Sequence, residues 1–133
     1  MTVYAPGPLP TGATVVKGAA TIGVAGGAMT VNQSTGRLVT DWQSFSIGTG
    51  NSVRFVQPST SAVALNRVTG NDPSAIFGSL VANGHVYLQN ANGVYFAPGS
   101  QVSVGSLVAT ALDVDVGEFM LGKLRLSGGG ETL

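Results

Sequence analysis

Residues 66–113 read NRVTGNDPSAIFGSLVANGHVYLQNANGVYFAPGSQVSVGSLVATALD, and the rest of the chain is organised around this stretch. Short apolar runs within it are separated, roughly every eight to ten residues, by Asn-Gly or Gly-Ser pairs. The runs are residues 85–88, 94–96, 102–104 and 107–109. Because Asn-Gly and Gly-Ser pairs favour tight turns, this spacing predicts many short β-strands joined by turns.

The composition limits the class of protein. The chain has 133 residues, enough for one domain with a sizeable core. Its six basic and six acidic residues cancel, so the surface has too few cations to neutralise many phosphates, and nucleic acid is not an expected partner. Cysteine is absent, which excludes disulfides and thiolate metal sites. The 20 glycines and abundant valine favour a nearly all-β fold.

The chain has neither a recognisable membrane-spanning segment nor a leader. Glycine interrupts every apolar run before it reaches the roughly 18–20 residues that span a bilayer. Residues 1–10 contain three prolines and lack the basic and apolar regions of a signal peptide. We therefore expect an extended lead-in and no membrane insertion, with any export leader already removed.

The sequence before residue 66 predicts further strands. Gly26-Gly27 is expected to turn the chain, and residues 29–32 and 38–42 are expected to pair with each other around the turn that follows residue 33. Trp42 and Phe45 are expected to anchor an end of the core. Residues 53–57 alternate apolar and polar, as in a half-buried strand.

One short helix is predicted in the chain. Asn71 and Asp72 are good capping residues and Pro73 suits the first helical position, so residues 75–77 are expected to fill a single turn that Gly78 ends. The many strands are typical of a sandwich, a barrel or a β-solenoid with coils of roughly 20–25 residues. Periodicity alone leaves these architectures open.

The order of several segments is more specific than their periodicity. The segments are LPTGATVVKG at 9–18, DWQSFSI at 41–47, VRFVQP at 53–58, LNRVTGNDPS at 65–74, GSLVANGHVYLQNANG at 78–93 and LVATALD at 107–113. Together they resemble the N-terminal secretion domain of the filamentous-haemagglutinin family, the large exoproteins of two-partner secretion in Gram-negative bacteria. The resemblance covers roughly residues 9–119.

Two features differ from the pattern of that family. Asn90-Ala91-Asn92-Gly93 stands where the family has NPNG, so the proline that rigidifies the turn is missing. The family's NPNL motif has no counterpart here. This absence places the chain nearest the high-molecular-weight adhesins and the haem-acquisition exoproteins.

The resemblance implies an all-β fold, a right-handed parallel β-helix (β-solenoid) with a small antiparallel N-terminal cap. It implies a secretion signal without enzyme activity or cofactor, recognised by the periplasmic domains of a cognate outer-membrane β-barrel transporter and nucleating β-helix folding at the cell surface. The exoprotein would be secreted or surface-exposed, by way of the periplasm. Residues 1–10 would be the lead-in, 11–120 the secretion domain, and 121–133 the start of a following coil or a tail at a truncation point.

Six residues are the candidates for transporter recognition or for folding. They are Asn66, Arg67, Thr69, Asn90, Asn92 and Gly93. In a partly folded exoprotein, exposed strand edges near these residues would pair with an edge in the transporter's periplasmic domains. The other interpretation, equally open, is that the asparagines serve folding alone by bonding to nearby backbone. The open end of a solenoid also predicts edge-mediated self-association.

A carbohydrate-active or carbohydrate-binding β-helix is the alternative function. Asp113, Asp115 and Glu118 form the only acidic cluster, and paired carboxylates can cleave polysaccharides, although a solvated pair beside a turn is the favoured interpretation. His85 is expected to be a surface or corner residue, because a lone histidine makes neither a catalytic triad nor a metal site. The distal activity of such an exoprotein, whether adhesion, haem acquisition or toxicity, lies outside this sequence.

Overall fold

The computed structural model describes residues 8–124 and the backbone of residues 126–127, and strands dominate this part of the chain. The strands are β1 (Thr14–Lys17), β2 (Ala20–Ala25), β3 (Ala28–Gln33), β4 (Arg37–Trp42), β5 (Ser52–Val56), β6 (Val63–Val68), β7 (Ser74–Ile76), β8 (Ser79–Ala82), β9 (His85–Gln89), β10 (Val94–Phe96), β11 (Gln101–Ser103), β12 (Ser106–Thr110), β13 (Asp113–Val114) and β14 (Leu126–Ser127). A short helix, α1 (Val116–Met120), lies between β13 and β14. Most of the lead-in predicted for residues 1–10 lies outside the described residues, as does most of the tail.

Most of these strands wind into a β-solenoid of about four turns. The first sheet has the order β1-β4-β6-β9-β12, the second sheet has the order β11-β8-β5-β3-β2, and a short third face pairs β7 with β10. In the first sheet Arg37 lies beside Val63, Val63 beside His85, and His85 beside Ser106, so successive coils span 26, 22 and 21 residues. The predicted parallel β-solenoid is confirmed.

Antiparallel strands lie at the N-terminal end of the solenoid. Strand β1 pairs antiparallel with β4, and β2 pairs antiparallel with β3, whereas the pairs that follow in the same two sheets are parallel. The β2–β3 turn places Ala25 opposite Ala28 and uses Gly26 at a φ of 60°, a conformation that side chains with a Cβ rarely adopt. Both the antiparallel cap and the turn at Gly26-Gly27 were predicted, and the structure has both.

Alternate residues of each strand fill the core between the faces. In β5, Val53 and Phe55 are buried while Arg54 is exposed, as the alternation in the sequence predicts, and the apolar Val56 is exposed as well. Trp42 and Phe45 are buried and meet edge to face, with ring centroids 5.3 Å apart. Burying an aromatic side chain of this size stabilises the fold by about 1.5–3 kcal/mol.

The helix predicted for residues 75–77 is wrong, because residues 74–76 form β7. Ser74 and Ile76 are buried and Ala75 lies between them, which is the burial pattern of a strand. Strand β7 pairs in parallel with β10, and the Ser74 N–H donates to the Gly93 carbonyl at 3.0 Å. A single helical turn satisfies few backbone groups, whereas the ladder satisfies them and buries Ile76, so tertiary pairing overrides the capping signal.

The predicted pairing of residues 29–32 with 38–42 is also wrong. Strands β3 and β4 follow each other along the chain, but they lie in different sheets. The buried Gln33 side chain occupies the corner between them and donates to the carbonyls of Thr35 and Val63 at 2.7 and 3.2 Å. Because Gln33 ties this corner to the next coil, the chain turns from one face to another instead of reversing.

A segment that was not predicted, residues 113–124, crosses the outside of the first sheet, and we call it the strap. Its helix begins after Asp115, whose carboxylate accepts a hydrogen bond from the Glu118 N–H at 2.9 Å. Phe119 is fully buried in a small apolar cluster with Val39 and Leu65, outside the solenoid core. No helix within the described residues has the length and apolarity that crossing a membrane requires.

Candidate functional site

Asn66 is the most internal of the six candidate residues. It lies in β6 with no exposed surface, and its side-chain oxygen accepts a hydrogen bond from the Trp42 indole at 2.9 Å. Its amide group donates to the Tyr87 carbonyl at 3.2 Å and to the Ala64 carbonyl at 3.4 Å. Since Trp42, Asn66 and Tyr87 belong to β4, β6 and β9, this one side chain joins three successive coils.

Arg67 and Thr69 lie further along the same coil and are accessible from outside. The Arg67 guanidinium binds the Asp41 carboxylate in a bidentate pair, with Nε–Oδ1 and Nη2–Oδ2 distances of 2.6 and 2.9 Å. The two side chains remain 27% and 25% exposed, so solvent screens the pair. Thr69 is exposed, and both its N–H and its hydroxyl donate to the Trp42 carbonyl.

Asn90 organises the turn between β9 and β10. Its side chain is fully buried and donates to the Asp72 carbonyl at 2.9 Å and to the Ser74 hydroxyl at 3.0 Å. Its side-chain oxygen accepts from both the backbone and the side chain of Asn92. Gly93 completes the turn with a φ of 105°, which explains the glycine there.

The segment that follows Thr69 and the turn at Asn90 meet at one corner of the solenoid, whereas Asn66 and Arg67 lie further back in β6. The exposed Asn92 reaches across and donates to the Gly70 carbonyl at 3.0 Å, one residue beyond Thr69. Gly70 in turn packs against the previous coil so closely that an added Cβ would collide with the Gln43 carbonyl oxygen. We call residues 69–74 and 89–94 the asparagine corner. Here the structure brings together residues that are about 20 positions apart in the sequence, the spacing of one coil.

A second set of amides at another corner was missed. Gln57 is buried, donates to the Gln33 side chain at 3.2 Å, and accepts from the Gly84 N–H at 2.8 Å. Asn83 exchanges two hydrogen bonds of 2.8 Å with the backbone of Gln57. Gln33, Gln57 and Asn83 are separated by 24 and 26 residues. An amide recurring at coil spacing after a strand was the signal in the sequence that could have revealed this corner.

The carboxylates and the histidine that an enzyme would need do not form a shared site. Asp113 lies in β13 and accepts from the Gln89 amide at 3.4 Å, while Asp115 caps α1, so the two carboxylates have separate structural tasks. His85 is half-buried, and its Nδ1 hydrogen-bonds to the Ser106 hydroxyl on the next coil. The described part of the chain holds no cluster of three or more residues suited to a metal ion.

Coil-to-coil amide corners and an antiparallel end describe a structural β-solenoid domain, and comparisons with known proteins agree with that class. Residues 7–127 match the family described as the TPS secretion domain, so the chain belongs to that family. The chain is 46% identical over 107 residues to a heme/hemopexin-binding protein of Haemophilus influenzae, and the aligned region covers 80% of this chain and 12% of that protein. A second Haemophilus influenzae protein of the same description is 46% identical over 87 residues, or 65% of this chain and 9% of the relative.

A solved structure supports the same assignment. The HMW1 secretion domain from Haemophilus influenzae superposes with a TM-score of 0.84 at 27% identity, over 92% of this chain and 33% of that one. These matches confirm the resemblance drawn from the sequence, including its placement near adhesins and haem-binding exoproteins. The chain is therefore the secretion domain of a two-partner secretion exoprotein, a class of secreted proteins of Gram-negative bacteria and not an enzyme family.

Proposed function

We propose that this domain is the address by which a cognate outer-membrane β-barrel transporter recognises its exoprotein. Recognition would occur in the periplasm, by the transporter's periplasmic domains, before the domain has folded. The solenoid would then form outside the cell and nucleate folding of the coils that follow. The observation that supports this proposal is that the candidate side chains fall into two kinds: Asn66 and Asn90 are fully buried, whereas Thr69 and Asn92 are exposed.

The candidate residues divide into two groups under this proposal. Asn66 and Asn90 have no exposed surface in the folded domain, so a partner can contact their side chains only in an unfolded or partly folded chain. Arg67, Thr69 and Asn92 keep accessible surface and can be read in either state. Gly93 serves the turn itself. We assign Asn66, Asn90 and Gly93 to the folding step, and Arg67, Thr69 and Asn92 to recognition.

The test separates export from folding in one experiment. The domain is expressed with a periplasmic leader beside its transporter, and export and pull-down by the periplasmic domains are measured for Arg67→Ala and Asn92→Ala. Both variants should lose binding and export while keeping the circular dichroism of the native domain. Arg54→Ala and Asn32→Ala are matched controls, because these residues are exposed on the second sheet, away from the asparagine corner.

Variants of the residues assigned to folding should give the opposite result, with normal binding and impaired folding. Asn90→Ala should leave binding to the periplasmic domains intact, because binding precedes folding, but should slow refolding and lower the amount of folded domain outside the cell. If Arg67→Ala and Asn92→Ala are bound and exported like the native chain, these residues have no part in recognition. Loss of binding by Asn90→Ala would transfer that residue to the recognition group.

The length of the relatives bears on the activity of the whole exoprotein. This chain spans about a tenth of the curated proteins that it matches, with 12% and 9% coverage. We propose that the activity named in those relatives, binding of heme and hemopexin, belongs to the part of the exoprotein beyond the secretion domain. A spectroscopic haem titration of this domain should accordingly give no saturable binding, and saturable binding would overturn the assignment.

A further inference from the structure

A polar cleft lies across the corner between the third face and the second sheet, on the opposite end of β7 from the asparagine corner. It has a volume of about 270 Å³ and is formed by equivalent positions of three successive coils. Ser52, Ser79 and Gln101 lie side by side in register along it, with Thr49 and Phe77 at its margins. The secretion function described above uses none of these residues.

The chemistry of the lining favours a neutral ligand with many hydroxyl groups. None of the residues that line the cleft is charged. Within the described part of the chain, the side chains of Thr49, Ser52, Ser79 and Gln101 enter no hydrogen bond. Hydroxyl and amide groups both donate and accept, so a row of them matches a ligand whose own hydroxyls also do both.

An exposed aromatic pair adds an apolar surface at the rim. Phe77 lines the cleft and is 38% exposed, and it meets Tyr95, which is 54% exposed, with ring centroids 6.2 Å apart. Phe77 directly follows β7 and Tyr95 lies in β10, so the two rings come from adjacent coils of the third face. An aromatic ring has a negative face that attracts C–H groups, and a sugar ring presents such a C–H face beside its hydroxyl edge.

The glycines of the corner keep the cleft open. Gly50 and Gly99 line it with positive φ angles of 82° and 88° and have no side chain to fill it. Gly78 packs tightly against the previous coil, where an added Cβ would collide with the Asn51 carbonyl oxygen. Ligand sites for drug-sized molecules occupy roughly 300–1,000 Å³, so this smaller cleft has room for a single sugar unit.

From these observations we infer that the cleft binds one uncharged pyranose unit, stacked on Phe77 and hydrogen-bonded by Ser52, Ser79 and Gln101. This inference goes beyond the secretion function and does not depend on it. The site also differs from the sequence-based carbohydrate hypotheses, which placed the sugar at the turn asparagines or at the acidic cluster. A host glycan and a bacterial polysaccharide both offer this chemistry.

The test is a nuclear magnetic resonance titration of the isotopically labelled domain with methyl α-mannoside, methyl β-galactoside and methyl β-N-acetylglucosaminide. At least one sugar should give saturable shifts confined to the cleft, with a dissociation constant on the order of 1 mM. Phe77→Ala and Gln101→Ala should each weaken binding by about tenfold or more. Gln43→Ala removes an exposed amide elsewhere and should change nothing.

Two further measurements identify the source of the sugar and separate sugar binding from export. Uncharged N-glycan oligosaccharides and uncharged O-antigen oligosaccharides are compared, and the preferred set names the source. Gln101→Ala should be exported normally, so a failure of sugar binding and a failure of the secretion proposal are distinguishable. Absence of saturable shifts with every sugar, or shifts that survive both Phe77→Ala and Gln101→Ala, would overturn the inference.

Discussion

At the scale of single residues, buried amides connect the coils of this solenoid. A parallel solenoid stacks backbone ladders well within each sheet, but at the corners the chain leaves the ladder and its polar groups need other partners. Asn90, Gln33 and Gln57 supply those partners from inside the fold, and Asn66 joins three coils within the first sheet. Asn66 and Asn90 were candidate residues from the sequence, but asparagine is mostly exposed in folded proteins, so their complete burial could not be predicted.

The role of Asn66 can be measured by removing its side chain. Asn66→Ala leaves the buried Trp42 indole N–H without its acceptor and removes a donor from the Tyr87 carbonyl. Because an unsatisfied buried polar group costs about 1–3 kcal/mol, the free energy of unfolding should fall by about 2–3 kcal/mol in urea denaturation. Asn32→Ala, at an exposed position of β3, should stay within about 0.5 kcal/mol of the native value. Similar losses in both variants would contradict a special role for Asn66.

For Thr40 we predict the opposite effect, because its buried hydroxyl lowers the stability of the folded domain. It is 1% exposed in β4, and the hydroxyl oxygen has no hydrogen-bond partner among the described residues. Thr40→Val keeps the shape of the side chain and replaces the hydroxyl by a methyl group, so the domain should become more stable by about 1 kcal/mol. Thr21→Val, at an exposed position of β2, is the control. A less stable Thr40→Val domain would mean that the hydroxyl has a partner in solution.

At the scale of elements, local signals predicted the strands well and the helices badly. The alternation of residues 53–57 and the turn at Gly26-Gly27 both have simple local causes, and the structure has both. By contrast, the capping residues before Ser74 indicate a helix, but the segment forms strand β7 because it pairs with β10. Among the described residues, helix α1 does form; it is only five residues long and is held in place by Phe119, whose contacts are distant in sequence. Contacts of that kind leave no periodic signal.

The strap should stabilise the first sheet from outside. Phe119 is fully buried beside Val39 and Leu65, and the Arg37 guanidinium lies 5.4 Å from its ring centroid. Phe119→Ala should therefore lower the free energy of unfolding by about 3 kcal/mol and raise amide exchange in residues 113–124 first. Leu121→Ala is the matched control on the same strap, because that side chain is 74% exposed. Equal exchange throughout the sheet in Phe119→Ala would mean that the strap and the solenoid unfold as one unit.

At the scale of the whole molecule, the two ends of the solenoid differ. At one end β1 and β2 pair antiparallel with their neighbours, whereas at the other end β11 and β12 pair in parallel with theirs. Each of these four strands pairs with a single strand among the described residues. Periodicity in the sequence did not predict the solenoid, because coils of 26, 22 and 21 residues are too unequal to be recognised as a repeat. The ordered family motifs supplied that conclusion. The strap, the polar cleft and the corner formed by Gln33, Gln57 and Asn83 arise only when coils stack, so no single segment encodes them.

The open edges of β11 and β12, which continue the parallel coils, predict self-association at that end of the solenoid. Unpaired strand edges offer backbone donors and acceptors to a second copy of the domain, and Val102 adds 39% exposed apolar surface at the β11 edge. Sedimentation of the purified domain should show dimers that increase with concentration. Val102→Lys should weaken the dimer by about tenfold or more without lowering stability, because a charge at a strand edge must be desolvated when a second edge pairs with it.

A lysine placed on an interior strand provides the control for that experiment. Val56 is 44% exposed at the end of β5, but β5 has a paired neighbour on each side and offers no open edge. Val56→Lys should therefore leave the dimer unchanged, although it adds the same charge and removes a comparable apolar surface. If both lysine variants dissociate the dimer equally, net charge and not the strand edge controls association. A domain that remains monomeric at every concentration would show that the edge is protected, and the strap, which follows β12 directly in the chain, is then the element to delete next.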